Sequence, residues 1–81
     1  MNVALEISLY PLQQDYLPSI RAFIHRLSAE PRLRVETTSM STQIVGEYEL
    51  VMQLLSRELR EALSRVPRTA VMMKLVGPLD D

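Results

Sequence analysis

Apolar and polar side chains alternate along the first ten residues of the chain. Between Val3 and Tyr10 the odd-numbered positions are apolar, whereas Glu6, Ser8 and Tyr10 bring polar atoms to even-numbered ones. This two-residue period is typical of a β-strand whose two faces meet different surroundings. Because proline cannot donate a hydrogen bond to a central ladder, Pro11 is expected to end the strand.

Two later stretches place apolar residues three to four positions apart, which is the spacing of an amphipathic helix. The first predicted helix covers residues 16–29, with Asp15 as its N-cap. The second extends to about Arg65, and Glu47 and Glu49 stand where the positive N-terminal end of a helix favours carboxylates.

The charged side of the second helix is expected to be a solvated surface. Two ion pairs at i, i+4 are predicted on it, Arg57 with Glu61 and Glu61 with Arg65. The charged residues assigned to this surface are Arg57, Glu58, Arg60, Glu61 and Arg65.

Three more segments have the composition of strands. They cover residues 33–38, 42–45 and 69–76, and the last one alternates in the same way as the first strand. The first two of these form a predicted hairpin around Ser39, Met40 and Ser41. Gly46 is expected to break the strand before the second helix.

The resulting order, strand, helix, strand, strand, helix, strand, is that of the ferredoxin-like α+β fold. Two right-handed crossovers place both helices on one face of a four-stranded antiparallel sheet, with the first and third strands at its centre. The residues predicted to be buried beneath the helices are Leu5, Ile7, Leu9, Leu33, Val35, Ile44, Val71, Met73 and Leu75.

The other side of the sheet, here called the open face, is half polar and half apolar. Its predicted polar residues are Glu6, Ser8, Tyr10, Arg34, Glu36, Thr38, Gln43 and Lys74. Its predicted apolar residues are Ala4, Val45, Ala70, Met72 and Val76. Small monomers seldom expose such an apolar patch, so homo-oligomerisation is expected, either sheet to sheet or edge to edge.

Composition narrows the classes of function. The 81 residues suffice for one domain, 1–81, and a formal net charge of −1 without a basic tract argues against nucleic acid as a partner. No apolar run approaches the roughly 20 residues that cross a bilayer, and the N-terminus does not resemble a signal peptide, so a cytoplasmic protein is expected. With no cysteine and one histidine, neither a metal centre nor a cofactor is expected.

The polar residues of the open face allow two interpretations. Glu6 and Lys74 are expected to face each other across adjacent strands, which is compatible with an ion pair inside a subunit interface. Alternatively, Glu6, Ser8 and Tyr10 point towards Ser41 on the neighbouring strand and form a small-molecule pocket together with Gln43. A carboxylate there would suit a cationic or amine-bearing ligand.

Catalytic motifs are largely missing from the sequence. No serine lies in a nucleophile elbow, and His25, next to Arg26 on a predicted helix, is interpreted as a surface residue. A hydrolase of acylphosphatase-like topology would need an arginine and asparagine pair, and Asn2 is the only asparagine. The paired aromatic residues of RNA-recognition domains are also absent. The protein is therefore not expected to be an enzyme.

Three short motifs resemble the YkoF-like, thiamine-binding protein family. They are Ser8-Leu9-Tyr10-Pro11-Leu12 on the first strand, Met40-Ser41-Thr42-Gln43 in the hairpin, and Gly46-Glu47-Tyr48 before the second helix. The resemblance implies a ferredoxin-like domain that binds thiamine or its hydroxymethylpyrimidine moiety without transforming it. Some relatives carry two such domains in one chain, which implies that a single-domain chain acts as a dimer or tetramer.

The resemblance and the residue chemistry agree on a candidate site. An aminopyrimidine offers one amino donor and ring-nitrogen acceptors that hydroxyl and amide groups complement, while an aromatic side chain packs on the ring. The candidate ligand-binding residues are Glu6, Ser8, Tyr10, Met40, Ser41, Thr42 and Gln43. The implied function is that of a carrier or sensor in thiamine precursor uptake or salvage. The alternative is a structural or regulatory oligomerisation domain without a ligand.

Overall fold

The computed structural model of the chain describes residues 1–12, 17–65 and 68–79. Its elements follow the predicted order of strands and helices. They are β1 (Asn2–Pro11), α1 (Leu17–Ser28), β2 (Arg34–Thr37), β3 (Thr42–Glu47), α2 (Tyr48–Arg65) and β4 (Thr69–Val76). The proposed N-cap Asp15 and the predicted helix start at Tyr16 lie outside the described residues.

The strands form one antiparallel sheet in the order β2-β3-β1-β4. The first and third strands are therefore central, and the predicted ferredoxin-like α+β fold is confirmed. The hairpin between β2 and β3 is also confirmed, since its turn comprises residues 38–41.

The hydrophobic core lies between the sheet and the two helices. It is formed by alternate residues of β1, by Ile44 of β3, by Leu33 just before β2 and by the inward sides of both helices. The buried apolar residues are Val3, Leu5, Ile7, Phe23, Leu27, Leu33, Ile44, Val51, Leu54 and Leu55. Because every second residue of β1 is used for this core, Glu6 and Ser8 are left on the open face.

The prediction that Met73 and Leu75 are buried beneath the helices is wrong. Their register partners are Ile7 and Leu5, so they do lie on the helix side of the sheet, yet they are 53% and 48% exposed. Helix α2 lies closest to β3 and α1 closest to β2, and β4 has no comparably close helix. The helices therefore cover the half of the sheet away from β4, and only Val71 on β4 packs against the core.

The prediction that Gly46 breaks the third strand is also wrong. Gly46 pairs with Val3, and β3 continues to Glu47. A Cβ atom at position 46 would lie 2.3 Å from Cδ2 of Leu33, which is buried in the core. The glycine is therefore compatible with the strand and leaves room for the neighbouring leucine.

Every second residue pair between β1 and β4 is hydrogen-bonded, and Pro11 and Leu12 show which pairs these are. The Leu12 amide donates to the Arg68 carbonyl at 2.9 Å, and Pro11, which has no N–H, is the register partner of Thr69. In an antiparallel ladder, hydrogen-bonded and non-hydrogen-bonded pairs alternate. Even-numbered residues of β4 therefore direct their N–H and C=O groups at β1, and odd-numbered ones direct theirs away from the sheet.

The charged side of α2 is less exposed than predicted. Glu58 is only 4% exposed, because α1 packs against this part of α2 and Arg26 of α1 donates from Nε to its Oε1 at 2.6 Å. Arg57 donates to Glu58 at 3.1 Å, which replaces its predicted pair with Glu61. The other predicted pair is present, with Arg65 Nε donating to Glu61 at 2.8 Å.

Candidate functional site

A cleft on the open face brings together residues from β1, β4 and the turn between β2 and β3. Its volume is about 380 Å³, within the range of small-molecule sites. We call it the open-face cleft, and its lining residues are Glu6, Ser8, Tyr10, Met40, Ser41, Met72, Met73 and Lys74. Five of the seven predicted site residues thus lie around one space.

The turn that closes one side of the cleft is held by Thr38. Its amide donates to the Ser41 carbonyl at 2.9 Å, and its Oγ1 accepts hydrogen bonds from the amides of Met40 and Ser41 at 3.1 and 3.3 Å. Such side-chain to backbone bonds are typical of serine and threonine in turns. Thr38 therefore supports the turn, so that Met40 and Ser41 lie beside β1.

Ser8 links the central strand to this turn. Its Oγ donates to the Met40 carbonyl at 3.2 Å, which leaves the lone pairs of the hydroxyl free to accept. Met40 is 82% exposed and Tyr10 is 52% exposed, so a thioether and a phenol ring flank the cleft in contact with solvent. Together these groups offer both apolar contact and hydrogen bonds to a small planar molecule.

Two predicted site residues lie outside the open-face cleft. Thr42 pairs with Ile7, is buried on the helix side, and lies with its hydroxyl 3.2 Å from that of Thr37. It does line a second cavity of about 300 Å³, which continues from Ser8 towards helix α1. Gln43 lies on the open face but in an adjoining groove, which it shares with Glu6.

A row of polar side chains crosses the whole open face. The strand registers place Lys74, Glu6, Gln43 and Glu36 side by side on β4, β1, β3 and β2. The predicted juxtaposition of Glu6 and Lys74 is thereby confirmed. Among the described residues Glu6 makes no ion pair within 4.0 Å, so its carboxylate is available to a ligand.

The sequence interpretation missed the contribution of β4 to the cleft. Met72 pairs with Ser8 and Lys74 with Glu6, which makes one wall of the cleft apolar and adds a cation to its rim. The alternation in the sequence had already assigned Met72 and Lys74 to the open face. The neighbourhood of Lys74 and Glu6 was predicted, whereas the position of Met72 beside Ser8 follows only from the register between β1 and β4.

The side chains that line the cleft can bind a small molecule. Among the described residues no group of three or more histidine, cysteine or acidic side chains could hold a metal ion. His25 is exposed on α1 and does not line the cleft, so Ser8 has no imidazole beside it to act as a base. The lining of the cleft offers a carboxylate, hydroxyls, an ammonium group and apolar side chains.

A second groove, between α1 and α2, carries three guanidinium groups. Arg26, Arg32 and Arg57 line it, and each of them donates to Glu30 or Glu58. Each guanidinium group therefore already has a carboxylate partner, and the bond between Arg26 and Glu58 joins the two helices.

None of the described helices is long and apolar enough to cross a membrane.

Solved structures of similar shape support the fold assignment. A Thermotoga maritima protein, assigned provisionally to thiamine biosynthesis or salvage, superposes with a TM-score of 0.85 at 20% identity, covering 96% of this chain and 85% of that one. A Streptococcus pneumoniae protein gives 0.86 at 22% identity, with 98% and 90% covered. A hypothetical protein of Methanocaldococcus jannaschii gives 0.81 at 22% identity, with 99% and 84% covered.

Identities this low show a common fold and nothing about the ligand. No curated protein sequence matches the chain. The sequence itself is nevertheless assigned at the family level, in agreement with the resemblance of its three motifs. Since the YKOF-related Family model matches residues 2–76, nearly the whole length, this chain belongs to the YkoF-related family.

Proposed function

We propose that the protein binds thiamine or its hydroxymethylpyrimidine moiety in the open-face cleft and does not transform it. The observation that carries the proposal is the convergence of Glu6, Ser8 and Tyr10 from β1 with Met40 and Ser41 from the turn around one cleft. Family membership and the provisional role of the Thermotoga maritima neighbour favour a thiamine-related ligand.

Each group of the cleft has a role in this proposal. The Ser8 hydroxyl accepts from the pyrimidine amino group, the Ser41 hydroxyl accepts from it or donates to a ring nitrogen, and Tyr10 and Met40 pack on the ring. Glu6 attracts the positive charge of the thiazolium ring in thiamine. Thr42 and Gln43 lie beside the cleft, Thr42 in the adjoining cavity and Gln43 in the adjoining groove, and contact only the edge of the ligand.

The contacts predict a modest affinity. A neutral hydrogen bond contributes about 0.5 to 1.5 kcal/mol and a charged one about 1.5 to 3. After the entropic cost of association is subtracted, three or four contacts with ring burial give a binding free energy of about −8 kcal/mol. This free energy corresponds to a dissociation constant of roughly micromolar size. This affinity suits a carrier or sensor in thiamine precursor uptake or salvage, and we place that role in the cytoplasm.

Isothermal titration with thiamine and with hydroxymethylpyrimidine tests the proposal. We expect Ser41→Ala to weaken the binding of both ligands about tenfold, which is the loss of one good hydrogen bond. Glu6→Gln should weaken thiamine binding by about ten- to a hundredfold and the binding of the uncharged pyrimidine much less. Glu36→Gln is the matched control, because it removes a carboxylate from the same sheet face outside the cleft.

Two outcomes would contradict the proposal. The first is the absence of heat for both ligands with the wild-type protein. The second is unchanged binding in both Glu6→Gln and Ser41→Ala, which would place the ligand elsewhere. The first outcome would favour the second candidate function, an oligomerisation domain without a ligand, for which the exposed apolar residues Met72 and Val76 are the supporting observation.

A further inference from the structure

The groove between α1 and α2 carries more positive than negative charge. Its three guanidinium groups belong to Arg26, Arg32 and Arg57, and the carboxylates bonded to them belong to Glu30 and Glu58. Glu58 serves two of the arginines, one through each of its oxygens. The other residues that line the groove are uncharged. One positive charge is therefore in excess here, although the whole chain has a formal net charge of −1.

The two arginines bonded to Glu58 keep hydrogen-bond donors for another partner. Arg26 and Arg57 each donate to it from Nε, at 2.6 Å and 3.1 Å. A guanidinium group has further N–H donors on both Nη atoms, and within the part of the chain that the structure describes these Nη groups make no hydrogen bond. Because both guanidinium groups hold the same carboxylate, their unused donors lie close together.

The carboxylate that holds these arginines is fixed by its burial. Glu58 is 4% exposed and Leu54, which lines the groove, is also buried, whereas the side chain of Arg57 is 71% exposed. The guanidinium groups thus extend from a buried carboxylate towards solvent. Donors that are already held in place lose less conformational freedom when a ligand binds, which favours binding.

A third arginine is able to join them at little cost. The side chain of Arg32 is 72% exposed and bonded to Glu30, two residues before it in the chain. Ion pairs of such exposed side chains contribute little stability, so Arg32 exchanges its partner readily.

We propose that this groove binds the phosphate group of a small molecule, with the Nη groups of Arg26 and Arg57 and the guanidinium group of Arg32 as donors. The planar fork of a guanidinium group matches two phosphate oxygens, and such charge-assisted bonds are strong. The side-chain amide of Gln53, which also lines the groove, adds a neutral donor. The volume of the groove, about 290 Å³, is small.

The excess charge suits a single phosphate group and not a polyanion. Nucleic acids are bound by tracts of basic residues that neutralise several phosphates, and this groove has one charge in excess. The groove shares no lining residue with the open-face cleft, so the inference does not depend on the proposed thiamine ligand.

NMR titration of the ¹⁵N-labelled protein with inorganic phosphate tests the proposal, with sodium chloride keeping the ionic strength constant. We expect saturable shifts of the amide signals of Gln53 and Leu54 and of the Nε signals of Arg26 and Arg57. The dissociation constant should be roughly millimolar, because the arginines reach solvent. Sodium acetate, a planar anion of lower charge, should cause much smaller shifts at equal concentration.

Methyl phosphate distinguishes the two sources of a phosphate group. It presents the same group with one oxygen esterified, as in a phosphorylated small molecule. Binding of both compounds would support the proposal as stated, whereas binding of inorganic phosphate alone would contradict the assignment to a phosphorylated molecule.

Removal of one guanidinium group should weaken phosphate binding. We expect a loss of about five- to tenfold in Arg57→Gln, which leaves the bond between Arg26 and Glu58 in place. Arg65→Gln is the matched control, since it removes the same group from the same helix at a residue that is bonded to Glu61 and does not line the groove. Its effect should stay below about twofold.

Removal of a carboxylate should have the opposite effect. Glu30→Gln frees Arg32 and raises the excess charge of the groove, so phosphate should bind about threefold more tightly. Glu61→Gln makes the same change of charge outside the groove and should change the affinity much less. Damage to the fold would not tighten binding, so this pair of variants separates a ligand site from a purely structural cluster.

Three results would overturn the proposal. They are the absence of saturable shifts with phosphate, equal shifts with acetate, and unchanged affinity in both Arg57→Gln and Glu30→Gln. Circular dichroism checks that each variant is folded. All titrations are made without thiamine, so a failure of thiamine to bind leaves them unaffected, and a failure of phosphate to bind leaves the open-face cleft untouched.

Discussion

At the start of α2 the side chain of Glu47 folds back over the first helical turn. Its Oε2 accepts a hydrogen bond from the Leu50 amide at 3.0 Å. Hydrogen bonds from the backbone amides of Leu50 and Glu49 lower the pKa of the Glu47 carboxyl below its ordinary value. The sequence had placed this carboxylate near the helix N-terminus, and the structure shows it acting as the cap.

The Glu47 cap predicts a stability contribution that depends on pH. Because the pKa is lowered in the folded state, the contribution is fully present above the ordinary glutamate pKa and is lost as the pH falls through the folded value. Urea unfolding should therefore show that Glu47→Gln reduces the free energy of unfolding at pH 7 and has little effect at pH 2. In Glu49→Gln, which leaves the cap in place and removes only an interaction with the helix dipole, we expect a smaller difference. Equal effects of Glu47→Gln at both pH values would contradict this role.

Among the elements, the two helices are joined by a nearly buried carboxylate. Glu58 of α2 accepts from Arg26 of α1, whose side chain is 46% exposed, and from Arg57. The helical spacing of the sequence placed Glu58 on the solvated side, since periodicity within one helix does not show where the next helix crosses it. Its burial is a property of the pair of helices.

Removing this carboxylate should destabilise the contact between the helices. We expect Glu58→Ala to lower the free energy of unfolding by about 2 kcal/mol, as a charged hydrogen bond and its packing are lost. The loss stays below that of a fully buried pair because Arg26 reaches water.

Glu58→Met is the control, because it fills the same space without the charge. A change under about 1 kcal/mol is expected, since apolar replacement of a buried ion pair is often neutral. Both are measured by urea unfolding. Equal losses in the two variants would show that the ion pair itself, and not the filled volume, stabilises the contact.

For the whole molecule, much of the fold was predictable from the spacing of apolar residues and from the resulting order of strands and helices. Alternation in β1 separated Ile7, which is buried, from Glu6 and Ser8, which lie on the open face. It could not show how far the helices extend over the sheet, because coverage depends on helix position across the strands. That is why Met73 was assigned to the core although the helices leave this part of β4 uncovered.

The candidate site was predictable to a similar extent. The alternation of the first strand predicted that Glu6, Ser8 and Tyr10 share one face, and the predicted hairpin placed Ser41 beside them. Thr42 was grouped with them because it belongs to the motif Met40-Ser41-Thr42-Gln43, but consecutive strand residues point to opposite faces. The part played by Met72 required the register of β4, which no local pattern contains.

The alternating ladder of β4 has a consequence for the exchange of its amide hydrogens with solvent. In a single protomer, the amides of Met72 and Lys74 are bonded to β1 and exchange slowly, whereas those of Val71, Met73 and Leu75 are open to water. The edge-to-edge homo-oligomer expected from the sequence would, if it used β4, protect the odd-numbered amides as well. Hydrogen exchange followed by NMR at increasing protein concentration should therefore slow these three amides selectively, and unchanged rates would argue against pairing along this edge.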